Sequence, residues 1–257
     1  MKKRSQAIRR MGYLKDQEGI MNRYMRESST WKNHLEHTRK FIAGSFLESG
    51  VESVAVLGSG WLLDVPLNEL LLRFKQIYLV DIYHPIQIRK KTADLAQVEL
   101  IEEDLSGGAI EQIWQLYRDG RNVQQEKKLL EQIPLKTPLQ QIEVDALISV
   151  NLLNQLDILL CDYVRKKGPY QQEALAPFRA AIQNFHLDWI TNSPGCLVTD
   201  ILEEVEDKNG IKTSKALLYT HLPEGIRKDR WWWDFDTHGT YHPGSRTRME
   251  VQAIEWS

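Results

Sequence analysis

The chain has 257 residues, of which 42% are hydrophobic and 26% are charged, with a formal net charge of −2 at pH 7. This composition is that of an ordinary globular protein, and the length suits one large α/β domain with additions rather than two full domains. The near-neutral charge does not favour a nucleic-acid partner. The basic N-terminal residues are followed by no apolar stretch that would suit a signal peptide or a membrane span, so we expect a cytoplasmic location.

The N-terminal segment is predicted to be helical. Apolar residues recur at helical spacing through residues 11–49, while residues 28–30, Ser-Ser-Thr, predict a break with a helix cap. Gly50 is predicted to end this block. We therefore separate residues 1–50, a helical extension that serves as a lid, a dimer surface or a brace, from a main domain over residues 51–257.

Strand and helix patterns alternate through the main domain. The predicted strands are residues 53–57, 77–80, 98–101, 145–150 and 195–204, and the predicted helices lie near residues 67–74, 86–96, 109–132, 152–166 and 177–190. Such alternation predicts an α/β fold with a doubly wound, mostly parallel sheet. Two last strands, at residues 215–221 and 248–256, have no helix between them. They are predicted to pair antiparallel, which gives seven strands.

The first of these strands runs into Gly58-Ser59-Gly60. Glycine has no Cβ, so the turn can take positive φ and let a ligand lie against the backbone. Asp81 ends the second strand, where an acid accepts hydrogen bonds from ribose hydroxyls. A plain tight turn and a helix cap explain these features separately. Together, with a helix predicted to begin at residues 64–66 and to point its dipole at the turn, they indicate a nucleotide-type cofactor.

The arrangement resembles the class I S-adenosylmethionine-dependent methyltransferases, whose Rossmann-like sheet is closed by an antiparallel pair. Residues 54–60 are similar to the glycine-rich motif of that family. Residues 79–85 are similar to the segment whose acid binds the ribose, which implies that role for Asp81, with Ile82 beside it. The resemblance implies S-adenosyl-L-methionine as the cofactor.

Two further segments carry the resemblance. Residues 102–105 correspond to the stretch that contacts the adenine, which implies cofactor contacts for Asp104 and Leu105. Residues 146–151 correspond to the fourth strand, whose end faces the methionine group and the substrate. This implies that Asn151 lies at the reacting end of the cofactor, where it is a candidate to orient the nucleophile; capping of the next helix is an equal alternative.

Two positions depart from the usual motif of the family. Val56 stands where many members have an acid, and Leu62 replaces the third glycine. Contact with the methionine amino group is therefore assigned to Asp64, which lies nearby in the sequence.

Residues 231–243 have the most unusual composition of the chain and are predicted to form a loop. If the preceding strand is parallel to the others, this loop leaves the sheet at the edge where ligands bind, so Trp232, His238 and His242 are predicted to contact the substrate. Packing of the tryptophans over the sheet edge is the alternative. The two histidines do not predict a metal site, because Gly239 and Pro243 are unsuited to a helix between them.

The leading functional hypothesis is methyl transfer from S-adenosylmethionine to a small-molecule acceptor. Alternatives are transfer of the aminocarboxypropyl group, as in the similar nicotianamine synthases, and a non-catalytic binding or regulatory protein. A nicotinamide-dependent oxidoreductase would need a third glycine where this chain has Leu63, and Asp64 would repel its pyrophosphate.

Overall fold

The computed structural model describes residues 2–46, 50–120 and 122–257. Within these residues the chain forms eight strands: β1 (Ser53–Leu57), β2 (Gln76–Asp81), β3 (Val98–Glu102), β4 (Ala146–Val150), β5 (Gly195–Glu206), β6 (Lys212–Ala216), β7 (Arg227–Asp236) and β8 (Arg246–Trp256). The α-helices are α1 (Lys2–Met11), α2 (Tyr13–Ala43), α3 (Leu67–Leu71), α4 (Ile86–Thr92), α5 (Ala109–Arg118), α6 (Val123–Glu131), α7 (Ile158–Lys167) and α8 (Ala176–Ile190). Short 3₁₀ turns cover Leu153–Gln155 and Glu173–Leu175.

The strands form one sheet in the order β3-β2-β1-β4-β5-β8-β7, and β6 pairs with β5 outside that path. Strands β1 to β5 are parallel to their neighbours, whereas β8 is antiparallel to both β5 and β7. Helices pack on both faces of the sheet, and the central strands β1 and β4 are mostly apolar and buried on both sides. This confirms the predicted doubly wound, mostly parallel sheet with an antiparallel C-terminal pair and N-terminal helices.

The C-terminal third differs from the prediction in two places. The segment predicted as a loop contains strand β7, and the predicted strand at residues 215–221 is displaced to β6, which forms a hairpin with β5. The partners of β8 are therefore β5 and β7. The prediction of a loop was wrong. Trp231, Trp232 and Trp233 form one apolar run in the sequence, and this run hides the alternation between the two faces of a strand.

The N-terminal prediction was wrong at residues 28–30, since α2 is one helix of 31 residues. Thr30 Oγ1 donates a hydrogen bond of 2.8 Å to the carbonyl of Glu27 inside the helix, so this hydroxyl does not cap a new one. The break falls instead at Gly12, whose φ is 99°. The predicted end of the block at Gly50 follows residues 47–49, which lie outside the described part; α2 itself ends at Ala43.

Two further features complete the fold. Cys161 and Cys196 are buried on opposite faces of the sheet as free thiols. Among the described helices, none combines the length and the apolar character that a membrane span requires.

Candidate functional site

A cavity of about 260 Å³ lies at the carboxyl ends of the parallel strands, and side chains of α2 line it. Ligands of open α/β sheets bind at this edge, next to the point where the strand order reverses. In this sheet the order reverses between β1 and β4. The cavity brings together all nine residues that were predicted to bind a cofactor: Gly58, Ser59, Gly60, Asp64, Asp81, Ile82, Asp104, Leu105 and Asn151.

The turn after β1 requires glycine at position 58. Gly58 has a φ of +82°, and a Cβ there would lie 2.7 Å from the carbonyl oxygen of Val150. The amides of Gly58 and Ser59 both donate to the carbonyl of Val80, at 2.9 and 3.2 Å. These contacts hold the turn between β2 and β4, where a bulkier residue would push the strands apart.

The chain leaves this turn differently from a dinucleotide-binding motif. Leu62, two residues after Gly60, has a φ of 55° and a buried side chain. The following helix, α3, begins only at Leu67 and has five residues, so the prediction that it starts at residues 64–66 was wrong. The turn is therefore not followed directly by the long helix N-terminus that binds pyrophosphate.

Asp81 joins the end of β2 to the glycine turn. Its Oδ2 accepts a hydrogen bond of 2.8 Å from the amide of Gly60, and its Oδ1 accepts one of 2.7 Å from the amide of Ile82. The side-chain amide of Gln17, on α2, also donates to Oδ1, at 3.2 Å. Burial raises the pKa of Asp81 to about 6, although the hydrogen bond from Gly60 acts in the opposite direction.

Asp64 and Asn151 form a second polar pair. The side-chain amide of Asn151 donates to Asp64 Oδ2 at 2.6 Å, and Asn151 Oδ1 is buried without a partner. Asn151 has a φ of 47°, a left-handed conformation of the kind that clusters at functional sites. It does not cap the following 3₁₀ turn, whose N-cap is Leu152. Burial raises the pKa of Asp64.

The predicted adenine contacts combine apolar side chains with a carboxylate. Leu105 is buried in the core and Ile82 packs against the same core. Asp104 Oδ1 accepts hydrogen bonds from the amide of Ser106, at 3.0 Å, and from its hydroxyl. This part of the cavity thus offers apolar side chains beside a fixed carboxylate.

Asp200 and Asn154 also line the cavity, although they were not predicted as site residues. Asp200 is only 4% exposed and its Oδ1 has no partner, while the Asn154 side chain is hydrogen-bonded to the carboxyl group. Burial raises the pKa of Asp200 to about 7, in spite of that hydrogen bond. A signal was available, because Asp200 continues the alternating buried face of Cys196 and Val198 and breaks it with a charge.

An aromatic wall was also missed. Trp31, Trp233 and Phe235 line the cavity and contact one another. His34 stacks on Trp233 with ring centroids 3.9 Å apart and accepts a 3.2 Å hydrogen bond from Trp231 Nε1. Burial lowers the pKa of His34 to about 3, so its imidazole is neutral.

The three residues predicted to contact the substrate lie outside the cavity. Trp232 points away from Trp233 because neighbours on a strand face opposite sides; it is 40% exposed beneath the guanidinium of Arg248. His238 Nδ1 lies 2.5 Å from a carboxylate oxygen of Glu27. His242 Nε2 lies 3.1 Å from Glu203. Throughout the described part of the chain, no group of three or more His, Cys, Asp or Glu side chains is arranged to hold a metal.

Comparison with known proteins gives only distant likenesses. No family model matches the chain, and no curated protein matches it. Matching solved structures include a DhpI complex with SAH, which has a TM-score of 0.33 and 10% identity over 92% of this chain and 95% of that chain. An rRNA methylase from Streptococcus thermophilus matches with a TM-score of 0.32 and 11% identity over 86% of this chain and 95% of that chain. Likeness at this level carries no argument about the present chain.

Proposed function

We propose that the cavity binds S-adenosylmethionine and that the protein transfers its methyl group to a small-molecule acceptor. The observation that carries this proposal is the contact between Asp81 and the amide of Gly60, which joins the acid of β2 to the glycine turn of β1. An acid held against such a turn is suited to the hydroxyls of a ribose.

The charge of the cavity favours this cofactor over a dinucleotide. Asp64, Asp81 and Asp200 all line it, and the pKa of each is raised by burial. Buried carboxyls gain from a cationic ligand, which stabilises their charged form, and they repel a pyrophosphate. S-adenosylmethionine carries a positive sulfonium and an α-ammonium group.

In the proposed pose, the ribose hydroxyls bind Asp81 where the Gln17 amide now donates. The adenine lies beside Ile82 and Leu105 with its amine toward Asp104. The α-ammonium group binds Asp64 and the free Oδ1 of Asn151, at the other end of the glycine turn.

The N-terminal segment has a part in this proposal. Residues 1–50 supply one wall of the cavity through α2, and residues 51–257 supply the Rossmann-like methyltransferase domain. Trp61 Nε1 donates to the carbonyl of Gln17 at 2.8 Å, which ties α2 to the glycine turn. A cavity of this size under a helical cover suits a small acceptor.

The test is isothermal titration of the full chain with S-adenosylhomocysteine, with NAD as the parallel ligand. We expect binding of the first alone, and about 10–100-fold weaker binding by Asp81→Asn, because hydrogen bonds to a charged group are lost. Glu102→Gln is the matched control, since Glu102 ends the neighbouring strand and binds Arg89 instead. Absence of S-adenosylhomocysteine binding, or unchanged affinity in Asp81→Asn, would contradict the proposal.

A further inference from the structure

One buried amide oxygen without a partner, Gln17 Oε1, lines the cavity beside Gly60, and three further buried acceptor oxygens without a partner line it elsewhere. These three are Asp200 Oδ1, Asn154 Oδ1 and Asn151 Oδ1. The orientation of each asparagine amide follows from its other contact: the Asn151 nitrogen donates to Asp64, and the Asn154 side chain bonds the Asp200 carboxyl. In both, the carbonyl oxygen is left over. Buried acceptors without partners cost free energy, so this set is complementary to a ligand that brings several donors.

Asp200 lies beyond the part of the site that the cofactor proposal uses. The pairing of β4 with β5 ends at Val150 and Val198, and Asp200 is the next residue of β5 on the same face. It stands opposite Val251 of β8, on the side of the sheet that carries the aromatic wall. Asp64 is near enough for its charge to act on Asp200. Asp200 and Asn154 are thus left for a second ligand beside the cofactor.

Arg23, a basic residue of the cavity wall, has partners other than this carboxyl group. The guanidinium carbon of Arg23 lies 4.5 Å from the ring centroid of Phe235 and 4.9 Å from that of Tyr241. Its charge also acts on Asp16, which lines the cavity beside it. The Asp200 carboxyl group therefore has no positive partner of its own among the described residues.

We propose that the methyl acceptor is a primary or secondary amine whose N–H groups bind Asp200 and Asn154, and that Asp200 takes up the proton released by the reaction. This inference rests on the proposed function. A neutral primary amine offers one N–H donor to each of these residues, whereas a secondary amine or a hydroxyl offers a single donor. An amine nitrogen also attacks without first losing a proton, which a hydroxyl has to lose. The rings of Trp31 and Phe235 pack against its carbon skeleton and stabilise the ammonium product.

The proposed step is a single displacement. The lone pair of the neutral amine attacks the sulfonium methyl carbon, the C–S bond breaks, and its electron pair stays on sulfur to give S-adenosylhomocysteine. The new N–C bond leaves an ammonium product, which gives one proton to the Asp200 carboxylate and then to water. Burial and the charge of Asp64 raise the pKa of Asp200 to about 7, which suits a group that accepts a proton near neutral pH.

The first experiment compares acceptors with one carbon skeleton: 2-phenylethylamine, its N-methyl derivative, 2-phenylethanol and 3-phenylpropionate. Each is titrated into protein saturated with S-adenosylhomocysteine and then assayed for turnover with S-adenosylmethionine. We expect binding and turnover of the amines, with kcat/KM at least about tenfold above that of the alcohol. Failure of both amines to bind, or equal turnover of the alcohol, would overturn the inference while S-adenosylhomocysteine binding leaves the proposed function intact.

The second experiment compares a variant at Asp200 with a control variant at Glu203 on the same strand, and adds a variant at Asn154. Asp200→Asn is expected to keep the affinity for S-adenosylhomocysteine within about twofold and to lose amine turnover about 100-fold or more, the usual contribution of a base. Glu203→Gln, whose carboxylate contacts His242 outside the cavity, is expected to behave as wild type. Asn154→Leu is expected to raise KM for the amine more than it lowers kcat. Wild-type amine kcat/KM in Asp200→Asn would overturn the role of Asp200.

Discussion

The molecule buries carboxyl groups in two regions, and the pKa of the buried acid is shifted in opposite directions in the two. At the cavity, Asp200 has an oxygen with no partner, and burial raises its pKa to about 7. Where α2 meets the segment after β7, burial would also raise the pKa of Glu27, but hydrogen bonds from His238 and Thr237 lower it to about 2. At the cavity, one oxygen of the buried acid has no hydrogen-bond partner. Near the end of β7, both oxygens of the buried acid have hydrogen-bond partners.

This difference distinguishes a binding site, at the cavity, from a structural junction, where Glu27 contacts Thr237 and His238. Glu27 is fully buried and accepts hydrogen bonds from Thr30 on its own helix and from the backbone and side chains of Thr237 and His238. A satisfied buried charge stabilises a fold, whereas an unsatisfied one is tolerated where a ligand completes it. Substitutions at the junction should therefore reduce stability, and substitutions at the cavity should reduce binding.

The largest effect is expected at the glycine turn, where a substitution should reduce both stability and binding. Gly58→Ala is expected to lower the free energy of unfolding by about 3 kcal/mol, because its φ is positive and the added Cβ meets the carbonyl of Val150. Binding of S-adenosylhomocysteine should be lost as well. Gly210→Ala is the control: it has a φ of +76° with nothing near the added Cβ, and it should cost about 1 kcal/mol in urea unfolding.

The junction gives the next largest effect. Glu27→Gln is expected to lower the free energy of unfolding at pH 7 by about 2–3 kcal/mol, because the charged hydrogen-bond acceptor is removed. Since the folded pKa is depressed, the gap to wild type should narrow as the pH falls below the ordinary value of 4.5.

Glu36→Gln is the matched control for the junction on the same helix. Glu36 forms only an exposed pair with Lys32, so its variant should unfold as wild type does in a urea titration. If the difference in free energy of unfolding between Glu27→Gln and wild type did not change with pH, this would contradict the role of the Glu27 charge in stabilising the fold.

At the cavity, removal of the buried carboxylate should raise the free energy of unfolding rather than lower it. The folded pKa of Asp200 is raised, so its ionisation costs stability as the pH rises from about 4 through 7. Asp200→Asn lacks this cost and should be more stable than wild type by about 1–2 kcal/mol at pH 8, with no gain at pH 4. Denaturant titrations at the two pH values measure it. Asp162→Asn, at an exposed acid of α7, should show no such gain.

The smallest effect is expected at Trp232. Trp232→Ala removes an exposed ring that carries the guanidinium of Arg248, which should cost about 0.5–1 kcal/mol of stability. The affinity for S-adenosylhomocysteine should be unchanged in titration calorimetry. A fall in affinity would move Trp232 into the binding site and would weaken the contrast between the two regions.

Much of the parallel half of the sheet was predictable because its signals are local. The apolar run of β1, the glycines after it and Asp81 belong to one strand–helix–strand unit, whose geometry fixes where they meet. Asp64 and Asn151 follow β1 and β4, which are neighbours, so their hydrogen bond is a consequence of strand order. The antiparallel half was harder, since three consecutive tryptophans conceal the alternation of β7.

The sequence by itself determined the order of strands and helices in the parallel half of the sheet and the carboxyl-edge residues Gly58, Gly60 and Asp81, because strand periodicity and turn chemistry act between near neighbours. Only the tertiary structure decided that α2 lines the cavity, that Trp233 faces it while Trp232 does not, and that one oxygen of Asp200 is buried there without a partner. Those outcomes depend on contacts between residues far apart in the chain. Solvation and hydrogen bonding at such contacts are set by packing, which no local pattern records.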